Sequence, residues 1–345
     1  MTVAHPLDER TALARRPGPF GPGRRAAFAT LTDDWLRTLF SATGGTDLAL
    51  IAVGGHGRAE LAPGSDLDLV LVHRSDARRA GEAAERIWYP IWDAGLRLDH
   101  SVRSVAEARR LASEDLKVLL GLLDARLVAG DAEIAEQVVS SVRGDWRAMA
   151  VKRLPELKAM VDERRAAFGD LATLLEPNLK ESYGGLREGT ILRAIAASWV
   201  TDMPHTGWEE QLTLLLDARD ALHVATGRRE DRLLLQEQDD VARLLDAADA
   251  DAMLRGVYSA ARTIAYAAEL TWHRVDRLAR RSSRFTFRPV SRRGLDRVPL
   301  ADGVVVQDGE VVLAVDADPA RDATLTLRAA CAAREAFVSL LGSGT

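Results

Sequence analysis

Val53-Gly-Gly-His-Gly-Arg-Ala-Glu-Leu-Ala-Pro-Gly-Ser-Asp-Leu-Asp-Leu-Val70 is the stretch on which the fold turns. Just upstream, Leu48-Ala-Leu-Ile-Ala-Val53 is a short apolar run halted by Gly54-Gly55, the pattern of a buried strand. Leu67 to His73 reads as a second strand. Asp66 and Asp68 stand two apart at its opening, so both side chains point to one face, while Leu67, Leu69 and Leu71 point to the other. Two carboxylates on one face raise each other's pKa unless a cation resolves the repulsion. Mg²⁺, or Mn²⁺ in its place, favours one or two carboxylates plus substrate phosphates over a full protein cage. Gly54 and Gly55 let the backbone approach a ligand, the amides after them can hold phosphate oxygens, Arg58 follows in a short helix, and Ser65 adds a hydroxyl. A phosphate cradle beside a metal site suits in-line attack on an α-phosphate, with two metals ~3.5–4 Å apart steadying the attacking and leaving oxygens.

A third carboxylate is expected from a neighbouring strand. Asp99, in Leu96-Arg-Leu-Asp-His100, alternates with Leu96 and Leu98 and can face the site while they face the core. Its expected role is to bind the metal and help deprotonate an acceptor hydroxyl. A lone Asp-x-Asp is usually a solvated strand end. The ordered set of strand, Gly-Gly-x-Gly-Arg, Ser-Asp-x-Asp and strand is far more specific.

Outward from this core, Arg24 to Thr43 reads as a helix ending at Gly44-Gly45, Arg78 to Trp92 as a helix, and Leu96 to Val102 as a third strand. Ala106 to Leu122 is helical, and Ala125 to Ala129 suits a further strand. The alternation argues for an α/β module. After Gly130 the chain is helix-patterned over 131–149, 151–168, 185–200, 208–226 and 251–281. Near the end, 303–314 reads as a β-hairpin turning at Asp308-Gly309, followed by a helix from about Pro319 to Leu341. The expected division is a flexible N-terminus over 1–24, an α/β domain over 25–145, a helical domain over 146–285 and a small α/β tail over 286–345. The site is expected in the cleft between the α/β and helical domains.

Composition sets bounds. The 345 residues are 47% hydrophobic and carry a formal charge of −5 with interspersed signs. No basic stripe argues for nucleic-acid binding. No apolar run is long enough to span a membrane, and no secretory signal is evident at the start. Cys331 has no intramolecular partner, which fits a reducing cytoplasm; it is expected as a small buried side chain in the last helix. Trp88, Trp92, Trp199, Trp208 and Trp272 are expected in the core. Lys180 and Arg187 flank Gly184-Gly185, a loop that could approach a nucleotide and set either cation on a phosphate; a plain helix start at Gly185 is the alternative. Arg228, Arg229, Asp231 and Arg232 read as a solvated helix end. His56 is either packed against ligand or on the surface, and His100 is either a support for Asp99 or incidental.

The segment around Asp66 and Asp68 resembles the signature of the DNA polymerase β-like nucleotidyltransferase superfamily, and more narrowly the bacterial PII uridylyltransferases. Trp92-Asp-Ala-Gly-Leu-Arg-Leu-Asp-His-Ser-Val-Arg103, Leu123-Asp-Ala-Arg-Leu-Val-Ala-Gly-Asp131 and Leu222-His-x-x-x-Gly-Arg-Arg-Glu-Asp-Arg-Leu233 are similar to segments of that family. Asn178-Leu-Lys-Glu-Ser-Tyr-Gly-Gly-Leu-Arg-Glu188 resembles its Asp-Leu-Lys-Glu-Gly-x-Gly-Gly-Leu-Arg-Asp motif, with Asn178, Ser182 and Glu188 departing from it. The resemblance covers about residues 25–340. It implies a polymerase β-like domain followed by a helical domain, and transfer of UMP from UTP, or AMP from ATP, to a tyrosine of a PII-type signalling protein. By motif position it assigns Gly54, Gly55, Asp66 and Asp68 to phosphate and metal. The family continues into an HD phosphohydrolase domain and paired ACT domains. This chain has no His-Asp dipeptide, so nucleotide removal and glutamine sensing are not expected of it, as in a piece of a longer protein or a short paralogue. Transfer to another acceptor, and an inactive nucleotide-binding module, are the alternatives.

Overall fold

The computed structural model describes residues 6–16, 18–204, 207–283, 297–307, 310–314 and 317–342. They fall into two compact units, residues 1–282 and 283–345.

The first unit opens with α1 (Pro6–Arg15) and α2 (Pro22–Ser41). The strand β1 (Leu48–Ala52), the one-turn helix α3 (Gly54–Gly57) and β2 (Leu67–His73) follow. Next come α4 (Ala77–Asp93), β3 (Leu98–Ser104), α5 (Val105–Glu114), α6 (Leu116–Leu123) and β4 (Arg126–Gly130). The sheet order is β3-β2-β1-β4, with β2 and β3 parallel and both other pairings antiparallel. The mixed α/β architecture is the expected one.

Period-two alternation divides this sheet between two apolar layers. Leu48, Leu50, Ala52, Leu67, Leu69 and Leu71 pack with α2 and α4 residues such as Phe28, Leu36, Ile87 and Trp88. Ala49, Ile51, Val70 and Val72 pack with Leu119 and Leu122 of α6 and with Trp146. Asp66 and Asp68 share the parity of Val70 and Val72. They therefore emerge where the helix-covered face of the sheet opens at the N-terminal end of β2.

The rest of this unit is helical: α7 (Ala132–Phe168), α8 (Leu186–Ser198), α9 (Trp208–Thr226), α10 (Leu235–Leu244) and α11 (Ala250–Ser283). Several boundaries differ from expectation for identifiable reasons. The helix expected over 106–122 breaks at Asp115, whose carboxylate accepts from the amides of Lys117 and Val118 and starts α6. The helices expected over 131–149 and 151–168 are one, α7, which runs through Pro155. Its buried residues Trp146, Ala150, Leu154, Leu157 and Val161 keep unbroken helical spacing, and that burial offsets the ~3 kcal/mol a mid-helix proline costs. The expected boundary at 145/146 lies inside α7, and one apolar cluster spans both sides of it. The N-terminal stretch expected to fray holds α1, anchored by Arg10, whose Nη1 donates to Thr32 Oγ1 at 2.5 Å.

The second unit contains β5 (Arg297–Ala301), β6 (Val304–Gln307), β7 (Glu310–Leu313) and α12 (Leu325–Gly342). The antiparallel sheet runs β5-β6-β7, so the expected hairpin is present with an added edge strand carrying Pro299. The expected turn at Asp308-Gly309 lies outside the described residues. The last helix starts at Leu325 rather than near Pro319, and Cys331 on it is exposed instead of buried.

Candidate active site

The site is built on the elbow between β1 and α3. Val53 N–H donates to Asp68 O at 3.0 Å and continues the ladder, after which Gly54 turns with φ +56°, in the left-handed region. A Cβ on Gly54 would lie 3.4 Å from Asp68 Oδ2, so the bend sits directly against that carboxylate. The amides of Gly57, Arg58, Ala59 and Glu60 donate to carbonyls within the elbow, whereas those of Gly54, Gly55 and His56 occupy the first turn, where helix geometry offers no backbone partner.

The elbow is braced from behind by a triad that the sequence did not disclose. His56 is fully buried, and its Nε2 lies 3.1 Å from Asp33 Oδ1 on α2. Arg126 of β4 donates to Asp33 Oδ2 at 2.6 Å, to His56 O at 3.2 Å and to Gly57 O at 3.1 Å. Burial alone would raise Asp33, but hydrogen bonds from His56 and Arg126 hold its carboxyl below the ordinary range. The His56 ring is thus buried against Asp33 and not on the surface. His100 stands edge-on to Trp88 and Trp92.

Asp68 and Asp99 are register partners on the parallel strands β2 and β3, and Asp66 directly precedes β2. All three line one cavity of about 750 Å³. Burial, then the neighbouring carboxylates of Asp99 and Asp66, push Asp68 up to about 6 against the pull of Lys180 and Arg187. Ser65 Oγ accepts from Ala62 N–H at 2.9 Å and from Arg219 Nη1 at 3.3 Å, so it shapes the turn that presents Asp66.

Lys180, Arg187, Arg219 and Arg229 also line this cavity. Asn178 holds the Lys180 loop: its Oδ1 accepts from the amides of Lys180 at 3.0 Å and Glu181 at 2.7 Å. Burial, then Arg187, lower the Lys180 ammonium pKa. Arg187 donates to Glu181 at 3.2 Å, and Arg58 is committed to Glu60 at 2.6 Å and to Asp124. Gly184 and Gly185 serve packing rather than an approach to ligand. Added Cβ atoms would meet Ala261 O at 2.6 Å and Leu179 O at 2.7 Å, respectively. Every site residue expected from the sequence therefore lines the cavity, apart from Gly184-Gly185 as a ligand-approach loop.

The cluster expected as a solvated helix end divides. Arg228, Arg229 and Arg232 are all exposed, but Arg229 Nη1 reaches Asp66 Oδ2 at 2.5 Å and Asp231 accepts from Arg219 Nε at 2.6 Å. Burial would raise Asp231, yet His223, Arg219 and Lys180 hold it well below the usual carboxylate range. The signal for these residues is the alternation Arg-Arg-Glu-Asp-Arg after a helix ending in Gly227; only its fold-back onto Gly64 gives it a role. Among the tryptophans, Trp92 is 44% and Trp199 74% exposed, contrary to expectation, and Arg147 stacks 3.6 Å over the Trp199 ring.

The fit of a divalent cation rests on three observations. Asp66 Oδ1 is buried with no partner, Asp68 is pushed upward, and the Gly54 bend leaves room beside Asp68 that a Cβ would narrow. Among the described residues no three His, Cys, Asp or Glu side chains are preset as a cation cage. The arrangement matches a site that one or two carboxylates share with substrate phosphates.

Behind the Lys180 loop, Glu188 is buried at the start of α8, ion-paired with Arg164 and accepting from Gly185 N–H at 3.0 Å. Burial pushes its carboxyl from an ordinary 4.5 up to about 7. Between those values the folded chain binds more protons than the unfolded one, so stability falls as pH rises through the window, by up to ~3 kcal/mol. Glu188→Gln carries no such titration. The unfolding free energy of the parent is expected to decline relative to Glu188→Gln from about pH 4.5 to about pH 7; a pH-independent difference would contradict the assignment.

Among the described residues no helix is long and apolar enough to cross a membrane. The profile of the GlnD PII-uridylyltransferase family matches residues 152–201 and 190–272. The bifunctional uridylyltransferase/uridylyl-removing enzyme of Streptomyces coelicolor is 54% identical over 330 residues, covering 93% of this chain and 40% of that protein. The enzyme of the same name from Mycobacterium tuberculosis is 39% identical over 328 residues, 91% of this chain and 40% of its own length. That of Azotobacter vinelandii is 38% identical over 227 residues, 60% of this chain and 25% of its length. The chain thus spans about 40% of the first two relatives. The profile falls on helices of the first unit, the first two relatives match over more than nine-tenths of this chain, and the chain belongs to the GlnD PII-uridylyltransferase family.

Proposed function

We propose that the cavity transfers a nucleotidyl group, UMP or AMP, from a nucleoside triphosphate to a tyrosine of a PII-type protein. The observation that carries this reading is the lining of one cavity by Asp66, Asp68 and Asp99 together with Lys180, Arg187, Arg219 and Arg229. A volume of about 750 Å³ suits a nucleotide, and the pairing of acids with cations suits a cation-bound triphosphate. The relatives' names and the family description refer to uridylyl transfer and to PII, and the AMP alternative and the tyrosine acceptor follow the resemblance of the sequence motifs.

Asp66, Asp68 and Asp99 would hold the divalent cation, which when bound supplies charge neutralisation at the triphosphate. Lys180 and Arg187 would pair with phosphate oxygens, and the first-turn amides of Gly54 and Gly55 would face the same group. Asp99, exposed at the cavity edge, would accept the proton of the acceptor hydroxyl. The hydroxyl oxygen bonds to the α-phosphorus, the bond from that phosphorus to the bridging oxygen breaks, and pyrophosphate leaves with the electron pair.

The test is incubation of the chain with Mg²⁺, the PII protein of the same organism and each of the four α-labelled nucleoside triphosphates. Label on PII from one or two of them is expected. Label on a different acceptor with none on PII reassigns the acceptor, and binding without transfer to any acceptor overturns the reading.

A further inference from the structure

Asp66 faces two claims. Its Oδ2 accepts from Arg229 Nη1, while its Oδ1 is buried and unpartnered. Arg229 belongs to the connection between α9 and α10, which presses on the turn that carries Asp66. A Cβ on Gly64 would lie 3.0 Å from His223 Nδ1 and 3.1 Å from the Arg229 backbone. Gly64 N–H donates to His223 Nδ1 at 3.1 Å, and Arg219 Nη1 reaches Ser65 Oγ. The backbone of the connection is thereby fixed. The Arg229 side chain, 35% exposed, retains room to change partner.

Several other arginines that line the cavity have acids of their own: Arg219 has Asp231, Arg187 has Glu181, Arg164 has Glu188, and Arg58 has Glu60 and Asp124. Among the described residues the acid of Arg229 is Asp66. A pair this accessible to solvent cannot hold a carboxylate against a divalent cation. With Asp66 claimed by a cation, Arg229 would stand beside Lys180 and Arg219 with no counter-charge of its own, facing a cavity that admits an anion.

We infer that Arg229 is a triphosphate-binding residue that rests on Asp66. It pairs with the carboxylate in the unliganded chain and passes to a phosphate oxygen once a cation takes Asp66. The identity of the anion rests on the proposed function; the competition for Asp66 does not.

The test compares the parent with Arg229→Ala and Arg229→Gln, and with Arg228→Ala, whose side chain lies outside the cavity. Without nucleotide, Mn²⁺ binding followed by its paramagnetic resonance is expected to tighten about five-fold in both Arg229 variants, because the competitor is gone, and to stay unchanged in Arg228→Ala. With saturating Mg²⁺, calorimetric binding of ATP or UTP is expected to weaken about ten-fold in the Arg229 variants. Mn²⁺ affinity equal to or below the parent's overturns the partner exchange. Triphosphate affinity equal to the parent's overturns the phosphate role. A parent that binds no triphosphate, with Mn²⁺ binding still tightened by Arg229→Ala, removes the proposed function and the phosphate role together and leaves only the competition for Asp66.

Discussion

Asp68→Asn is expected to lower the rate of nucleotidyl transfer on the order of 10³-fold, while the chain melts no lower than the parent. The two halves of this expectation share one cause. Asp68 sits between Asp66 and its register partner Asp99, on a partly buried strand opening, and its elevated pKa reports the cost of that charge. Asparagine keeps the shape and removes the charge, so repulsion among the acids falls. The same substitution removes the carboxylate that meets the Gly54 bend, and with it a proposed ligand of the cation on the triphosphate. A stability gain beside an activity loss is the signature of a group kept for function. Label transfer by Asp68→Asn at more than about a tenth of the parental rate would remove Asp68 from the chemistry, and a melting point well below the parent's would make it a structural residue instead.

The glycines of the elbow separate by role, and the largest stability effect is expected at Gly57. A Cβ there would lie 2.1 Å from Asp124 O and 3.0 Å from Ala52 O, both backbone atoms that cannot rotate away. Gly57→Ala is expected to destabilise the chain by ~3 kcal/mol or more in denaturant titration, because α3 must part from the end of α6 or from β1. Gly55→Ala meets nothing nearer than Arg58 Nη2 at 3.9 Å and is expected to change stability by less than ~0.5 kcal/mol. Any effect of Gly55→Ala would fall on triphosphate affinity, since its amide lies in the first turn of α3. Equal stability losses at the two positions would contradict this division.

Much of the α/β part was legible because its signals are local. Leu48–Ala52 and Leu67–His73 announce themselves as strands through apolar runs bounded by glycine or acid, and the parity of Asp66 and Asp68 follows from the pleat. Asp99 could be placed by alternation along its own strand, and β2 and β3 then bring it level with Asp68. Errors arose where a local signal was outweighed by distant burial. The stretches 131–149 and 151–168 read as two helices, yet α7 is one because five core side chains keep their spacing from Trp146 to Val161. Trp199 reads as core, yet it caps α8 in the left-handed region and faces solvent.

By itself, the sequence determined the strand faces, the glycine bend and the two neighbouring acids, all of which depend on contacts within a few residues. Only the tertiary structure decided what opposes them. His56 became the buried partner of Asp33 and Arg126 because α2 and β4 flank the elbow from positions far away in the chain. Arg229 became the partner of Asp66 because Gly64 lets the α9–α10 connection press against the turn before β2. A charged side chain carries no record of its partner in its own neighbourhood. The pairing is set by which backbones pack closely enough to bury the two charges together, and that is a property of the folded chain.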